Sequence, residues 1–86
     1  MVTLSNIISY LLNGNMEFNI HNSQVIDKGN YAYIDIIISI HDPKLDIICR
    51  FFNKFENIEY YIKNADDCYR FYGIQEFHAY ILKTRA

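Results

Sequence analysis

The segment that most limits what this chain can fold into is YAYIDIIISI, Tyr31 to Ile40. A strand with one solvated face alternates apolar and polar side chains. Here the even positions Ala32, Ile34, Ile36, Ile38 and Ile40 are all apolar, and on the odd positions only Asp35 and Ser39 interrupt Tyr31, Tyr33 and Ile37. Such a strand belongs in the middle of a sheet, with a core on its even face and a second demand for cover on its odd face.

The neighbours of this segment supply the sheet. HDPK at 41–44 reads as a turn with Asp42 and Pro43 in type I positions, and LDIICRFF at 45–52 follows as a strand. Placing Ile40 opposite Leu45 pairs Ile38 with Ile47, Ile36 with Cys49 and Ile34 with Phe51 on an inner face. The outer face then pairs Ser39 with Asp46, Ile37 with Ile48, Asp35 with Arg50 and Tyr33 with Phe52. Like meets like, and a slip of two residues would set Asp35 against Phe52. Upstream, Met16, Phe18 and Ile20 alternate with Glu17, Asn19 and His21, and DKGN at 27–30 marks a turn. Setting Ile20 against Ile38, with Ile26 near Ala32, calls for a three-residue loop at Lys28–Asn30 or a bulge near Asn22–Ser23. The expectation is a three-stranded antiparallel meander.

Helical spacing brackets this sheet. Leu4, Ile7, Ile8, Leu11 and Leu12 form an amphipathic stripe, with Thr3 as N-cap, Val2 and Ile7 as a hydrophobic staple and Gly14 as a left-handed closing residue. After Asn53, a capping box with Glu56 and a stripe of Phe55, Ile58, Ile62 and Ala65 predict a helix over 54–64. Asp66 or Asp67 would cap a further helix within 66–84, broken or kinked near Gly73, with Phe71, Ile74, Phe77 or His78, Ile81 and Leu82 on its apolar side; a single kinked helix is the alternative. The expected fold is a single α+β domain over residues 1–86, ordered α-β-β-β-α-α, with the helices packed on one face of the sheet.

Composition narrows function more than it names one. Among 86 residues, 51% are hydrophobic and 21% charged, which is the balance of a globular domain rather than a disordered one. The chain begins without a basic leader or cleavage site, and no run approaches the roughly 18 apolar residues of a membrane span. A cytoplasmic location is expected. Cys49 and Cys68 do not make a disulfide framework, and Cys49 falls on the core face as a small hydrophobe. His21, His41 and His78 lack metal-ligand spacing, so no metal is expected. With three glycines there is no phosphate-cradling loop, and no nucleophile elbow is present. No cofactor and no enzymatic activity are expected.

Two surfaces remain for partners. The outer sheet face gathers Val25, Tyr31, Tyr33, Ile37, Ile48 and Phe52 around His21, Asp35 and Arg50, a mixture suited to protein contact. Around the expected helix junction, Glu56, Glu59, Asp66 and Asp67 offer a second surface to a basic partner. The order α-β-β-β-α is also that of a double-stranded-RNA-binding domain, which grips phosphates with a lysine cluster opening its second helix. The corresponding NKFENIEYY holds Lys54 with Glu56 and Glu59 after it, so nucleic acid is disfavoured, and a small nucleic-acid-binding or regulatory module is the alternative. A homodimer using its own sheet face is a further one.

NGNMEFNI, YAYIDIIISI and NKFENIEYYIKNADD, in that order, resemble the layout of small phage-encoded anti-CRISPR inhibitors of single-effector systems. Compact members place a short helix before a three-stranded antiparallel sheet and two helices. The resemblance spans the chain as a layout and carries no shared motif. It implies a non-enzymatic inhibitor that binds a nuclease effector one-to-one or as a dimer. Where the group occupies a DNA-binding groove it uses dense acidic surfaces; this chain has ten Asp and Glu in all, which implies blocking by shape and apolar contact instead.

Overall fold

The computed structural model describes residues 2–52, 58–64 and 67–85. Helix α1 (Leu4–Asn13) is followed by strands β1 (Phe18–Asn22), β2 (Ile26–Asp27), β3 (Ala32–Ile40), β4 (Leu45–Phe52), β5 (Ile58–Lys63) and β6 (Cys68–Arg70), and then by helix α2 (Ile74–Arg85). The strands form one antiparallel sheet in the order β1-β3-β4-β5-β6, with β2 also paired to β3. The α+β class and the antiparallel sheet stand as read, and two helices are present.

The β3–β4 hairpin adopts the expected register at every pair, from Tyr33 opposite Phe52 to Ile40 opposite Leu45. Its turn differs, because the Asp42–Pro43 peptide is cis rather than the trans bond of a type I turn. On the other side of β3, Ile20 lies opposite Ile38 as expected, but Ile26 lies opposite Tyr33 rather than Ala32. One extra residue on the β1–β2 side absorbs the offset, which is the bulge alternative. Ser23 anchors it: its N–H donates to the Asp35 carbonyl at 2.8 Å, and its Oγ accepts from the Asp35 N–H at 3.0 Å.

Residues 58–63 correct the expected helix over 54–64. Ile58, Tyr60 and Ile62 recur at period two as well as fitting part of a helical stripe, and β-branched and aromatic residues favour the extended form. The otherwise unpaired edge of β4 decides it, taking Ile47 against Ile62 and Cys49 against Tyr60. The three-stranded meander therefore becomes a six-stranded sheet. The proposed capping box of Asn53 with Glu56 lies outside the described residues. Downstream, Cys68–Arg70 is a strand where a helix was expected, and α2 begins only after Gly73, whose carbonyl accepts from Phe77 N–H at 3.3 Å.

Helix α1 is capped as expected: Thr3 Oγ1 accepts from Asn6 N–H at 3.1 Å, and Asn6 Oδ1 accepts from Thr3 N–H in return. Its end differs. Gly14 has φ −86°, and the left-handed residue is Asn15 at φ 54°. Asparagine tolerates that region because its short polar side chain bonds locally.

Both helices bury against the inner sheet face. Ile7 and Leu11 of α1 and Phe77 and Ile81 of α2 form one core with Ile38, Ile40, Leu45, Ile47, Cys49, Tyr60 and Ile62. Phe77 is its hub, edge-on to Tyr10 at 5.1 Å and 5.3 Å from Phe71, which in turn lies 5.9 Å from Tyr60. Leu12 and Leu82 close neither stripe; both are exposed. The shortest dimension, 20 Å, is that of one sheet plus one helix layer.

Burial and, secondarily, the Asp35 carboxylate push the Cys49 thiol up to about 12. A raised folded-state pKa contributes stability that is complete below the unfolded value and lost as pH climbs toward the folded one. The unfolding free energy from urea titrations is therefore expected to fall above pH 9, by about 1.4 kcal/mol per pH unit. Cys49→Val should remove the part of the loss that starts there. At pH 8 a thiol reagent should modify exposed Cys68 alone until urea unfolds the chain. Labelling of both thiols in the folded protein would contradict this core.

Candidate functional site

The sheet face opposite the helices is built by simple alternation. Tyr33, Asp35, Ile37 and Ser39 of β3 point to it, as do Asp46, Ile48, Arg50 and Phe52 of β4, Glu59, Tyr61 and Lys63 of β5, and Cys68 and Arg70 of β6. Among the described residues no helix packs on it. His21, opposite Ile37, lies at its β1 margin, and Val25 is exposed in the bulge.

At its centre Arg50 grips Asp35 in a bidentate pair, Nε to Oδ1 at 2.8 Å and Nη2 to Oδ2 at 3.1 Å. Asp35 is 7% exposed, so this carboxylate is nearly removed from water and needs the partner. Its hydrogen bonds raise the Arg50 pKa further, keeping the guanidinium charged. The same guanidinium lies 4.1 Å over the Tyr33 ring and 5.5 Å from that of Tyr61. One strand further, Arg70 pairs with Glu59, lies 5.2 Å from the Tyr61 ring and donates to its Oη at 3.2 Å. Tyr61 Oη also donates to Glu59. Burial, followed by that bond, raises the Tyr61 pKa. Cations and rings thus alternate across four strands as Tyr33, Arg50, Tyr61 and Arg70.

Next to Arg50, Tyr31, Tyr33 and Phe52 make an aromatic triangle with centroid separations of 6.1–6.2 Å. Tyr31 is exposed, whereas Ile37 and Ile48 on the other side of the charged row are half-buried. The structure therefore brings together eight of the expected contact residues, Tyr31, Tyr33, Asp35, Ile37, Ile48, Arg50, Phe52 and Glu59, on one surface.

Among the described residues the expected acidic surface at a helix junction is not formed, because strands β5 and β6 stand where the two helices were expected. Glu59 belongs to the outer face. Asp67 sits in the β5–β6 turn, where its Oδ1 accepts from Cys68 N–H at 2.7 Å and its carbonyl from Asn64 N–H at 3.1 Å. Glu56 and Asp66 lie outside the described residues. Tyr61 and Arg70 were missed as contact residues. The period-two spacing of Ile58, Tyr60 and Ile62 was the signal that would have placed Glu59 and Tyr61 on this face.

The remaining titratable clusters hold the fold. His41 Nδ1 lies 3.4 Å from Glu17, and its Nε2 lies 3.1 Å from Asn19 Nδ2. His78 Nδ1 lies 2.6 Å from Tyr10 Oη, linking the helices. Among the described residues no group of three or more His, Cys, Asp or Glu could hold a metal ion, and no helix is long and apolar enough to cross a membrane. Comparison with family models, with curated proteins and with solved structures finds no match to the chain, so the geometry of this face carries the functional reading alone.

Proposed function

We propose that this chain is a non-catalytic protein-binding domain that works through its outer sheet face. One observation carries the reading: the face is rich in rings and aliphatic side chains, and both of its arginines are matched within the chain by carboxylates. Arg50 spends its charge on Asp35 and Arg70 on Glu59, so neither is left for phosphates, and the main source of nucleic-acid affinity is lost. A near-neutral surface with aromatic and arginine anchors suits another protein whose own contact surface is apolar and weakly charged. An inhibitor of a host defence nuclease, such as a CRISPR effector blocked sterically, is the narrowest form of this reading. Its supporting layout had helices where β5 and β6 stand, so the proposal rests on the face and not on that likeness.

The test compares wild type with Tyr31→Ala and Ile37→Asp as bait in lysate of the source cells, with and without nuclease. A stoichiometric protein retained by wild type after nuclease and in high salt, and lost by at least tenfold with both variants, is the expected result. Circular dichroism of the variants should be unchanged. Loss of all captured material on nuclease treatment would replace this reading with nucleic-acid binding. Unfolding by Ile37→Asp together with undiminished capture by Tyr31→Ala would make the face structural.

A further inference from the structure

The β1 edge, at one end of the strand order, has a readable hydrogen-bond pattern. His41 N–H donates to the Glu17 carbonyl at 3.0 Å and Ser23 N–H to that of Asp35 at 2.8 Å, so the odd residues along β1 bond toward β3. In an antiparallel ladder the alternate residues turn their N–H and C=O groups the other way. Phe18, Ile20 and Asn22 therefore direct theirs outward, at the end of the strand order, where no described strand pairs with them. Edge strands are normally blunted by Lys, Pro or an inward charge. FNIHN has none of these, and Ile20 is 49% exposed. Beside the edge, on the inner face, lies an apolar groove of about 390 Å³ lined by Ile20, Ile34, Ile36 and Phe51, with His21 and Asn22 at its rim.

We propose that β1 pairs antiparallel with β1 of a second copy, about a two-fold axis at Ile20. Only an extended backbone matches donors and acceptors at this spacing, and here the outward groups are spaced symmetrically around Ile20. Ile20 then meets Ile20, Phe18 meets Asn22 and Asn19 meets His21, with two hydrogen bonds at each outward pair. No formal charge lies within the paired segment, and Glu17 falls opposite Ser23, so no like charges face each other. A two-fold axis normal to the sheet keeps both helix layers on one side and joins the two apolar grooves along the axis. The outer face is untouched, so this contact stands or falls separately from the proposed function.

Sedimentation equilibrium between about 1 µM and 1 mM should show the mass doubling. Over the same range, hydrogen exchange at the Phe18, Ile20 and Asn22 amides of wild type should slow at least tenfold. Ile20→Pro removes an outward N–H while sparing the β1–β3 bonds, and it should weaken association at least tenfold. Ile20→Lys, which sets ammonium groups together at the axis, should do the same. A monomer throughout the range overturns the proposal. So does a dimer whose edge amides show no added protection, or one that survives Ile20→Pro but dissolves with Ile37→Asp, which would move the contact to the outer face.

Discussion

Phe77→Ala is expected to cost about 3–5 kcal/mol. Phe77 is fully buried at the point where α1, α2 and the sheet meet, touching Tyr10 and Phe71. Truncation removes its transfer energy and leaves a cavity walled by rings on different elements, which cannot all move inward together. A domain of this size has on the order of 5–10 kcal/mol in total, so the variant should be partly unfolded at modest urea. Leu82→Ala on the same helix, where the side chain is 55% exposed, should cost less than about 1 kcal/mol. Urea unfolding of the two variants measures both. Similar losses would mean that α2 is not anchored through Phe77.

The second large effect lies on the opposite face. Asp35→Ala is expected to destabilise by about 2–3 kcal/mol, at or just below the range for breaking a buried pair because the Arg50 side chain is 28% exposed and can recover some water. The cost falls mainly on the partner, since a half-buried guanidinium loses two charge-assisted bonds and keeps only its rings. Replacing both residues, Asp35→Val with Arg50→Met, should restore most of the loss. A double-mutant cycle on urea midpoints would read a coupling of about 1–3 kcal/mol. Coupling near zero would mean that the pair contributes registry or surface chemistry rather than stability.

These two residues also mark what could be read from sequence alone. The β3–β4 register was legible because a short turn limited the choices and because Asp35 opposite Arg50 penalised the alternatives. Helical spacing offered Phe77 or His78, with Ile81, as apolar anchors near the C-terminus, and the fold buries Phe77 and Ile81. The segment IEYYIK was not. Ile58 and Ile62 fit a helical stripe, Ile58, Tyr60 and Ile62 fit a strand, and local spacing weighs the two alike. The deciding influence was the open side of β4, a partner distant in sequence. That misreading hid Tyr61 from the contact face and assigned Glu59 to a helix junction, and expecting a helix at Cys68–Arg70 hid Arg70 in the same way. Leu12 and Leu82 failed differently, because their stripes are wider than the surface the sheet offers.

The offset anchored by Ser23 has a consequence for solubility. An uncovered sheet edge is a template on which chains can add without limit, and fibrils grow from long, flat segments of continuous register. Here the exposed ladder of β1 stops at Asn22, where the extra residue throws the next pairing out of step, and at the opposite end of the strand order β6 is three residues long. Neither end can seed a lengthening stack. A chain this rich in isoleucine and tyrosine can therefore leave an edge open without that edge becoming a route to fibres.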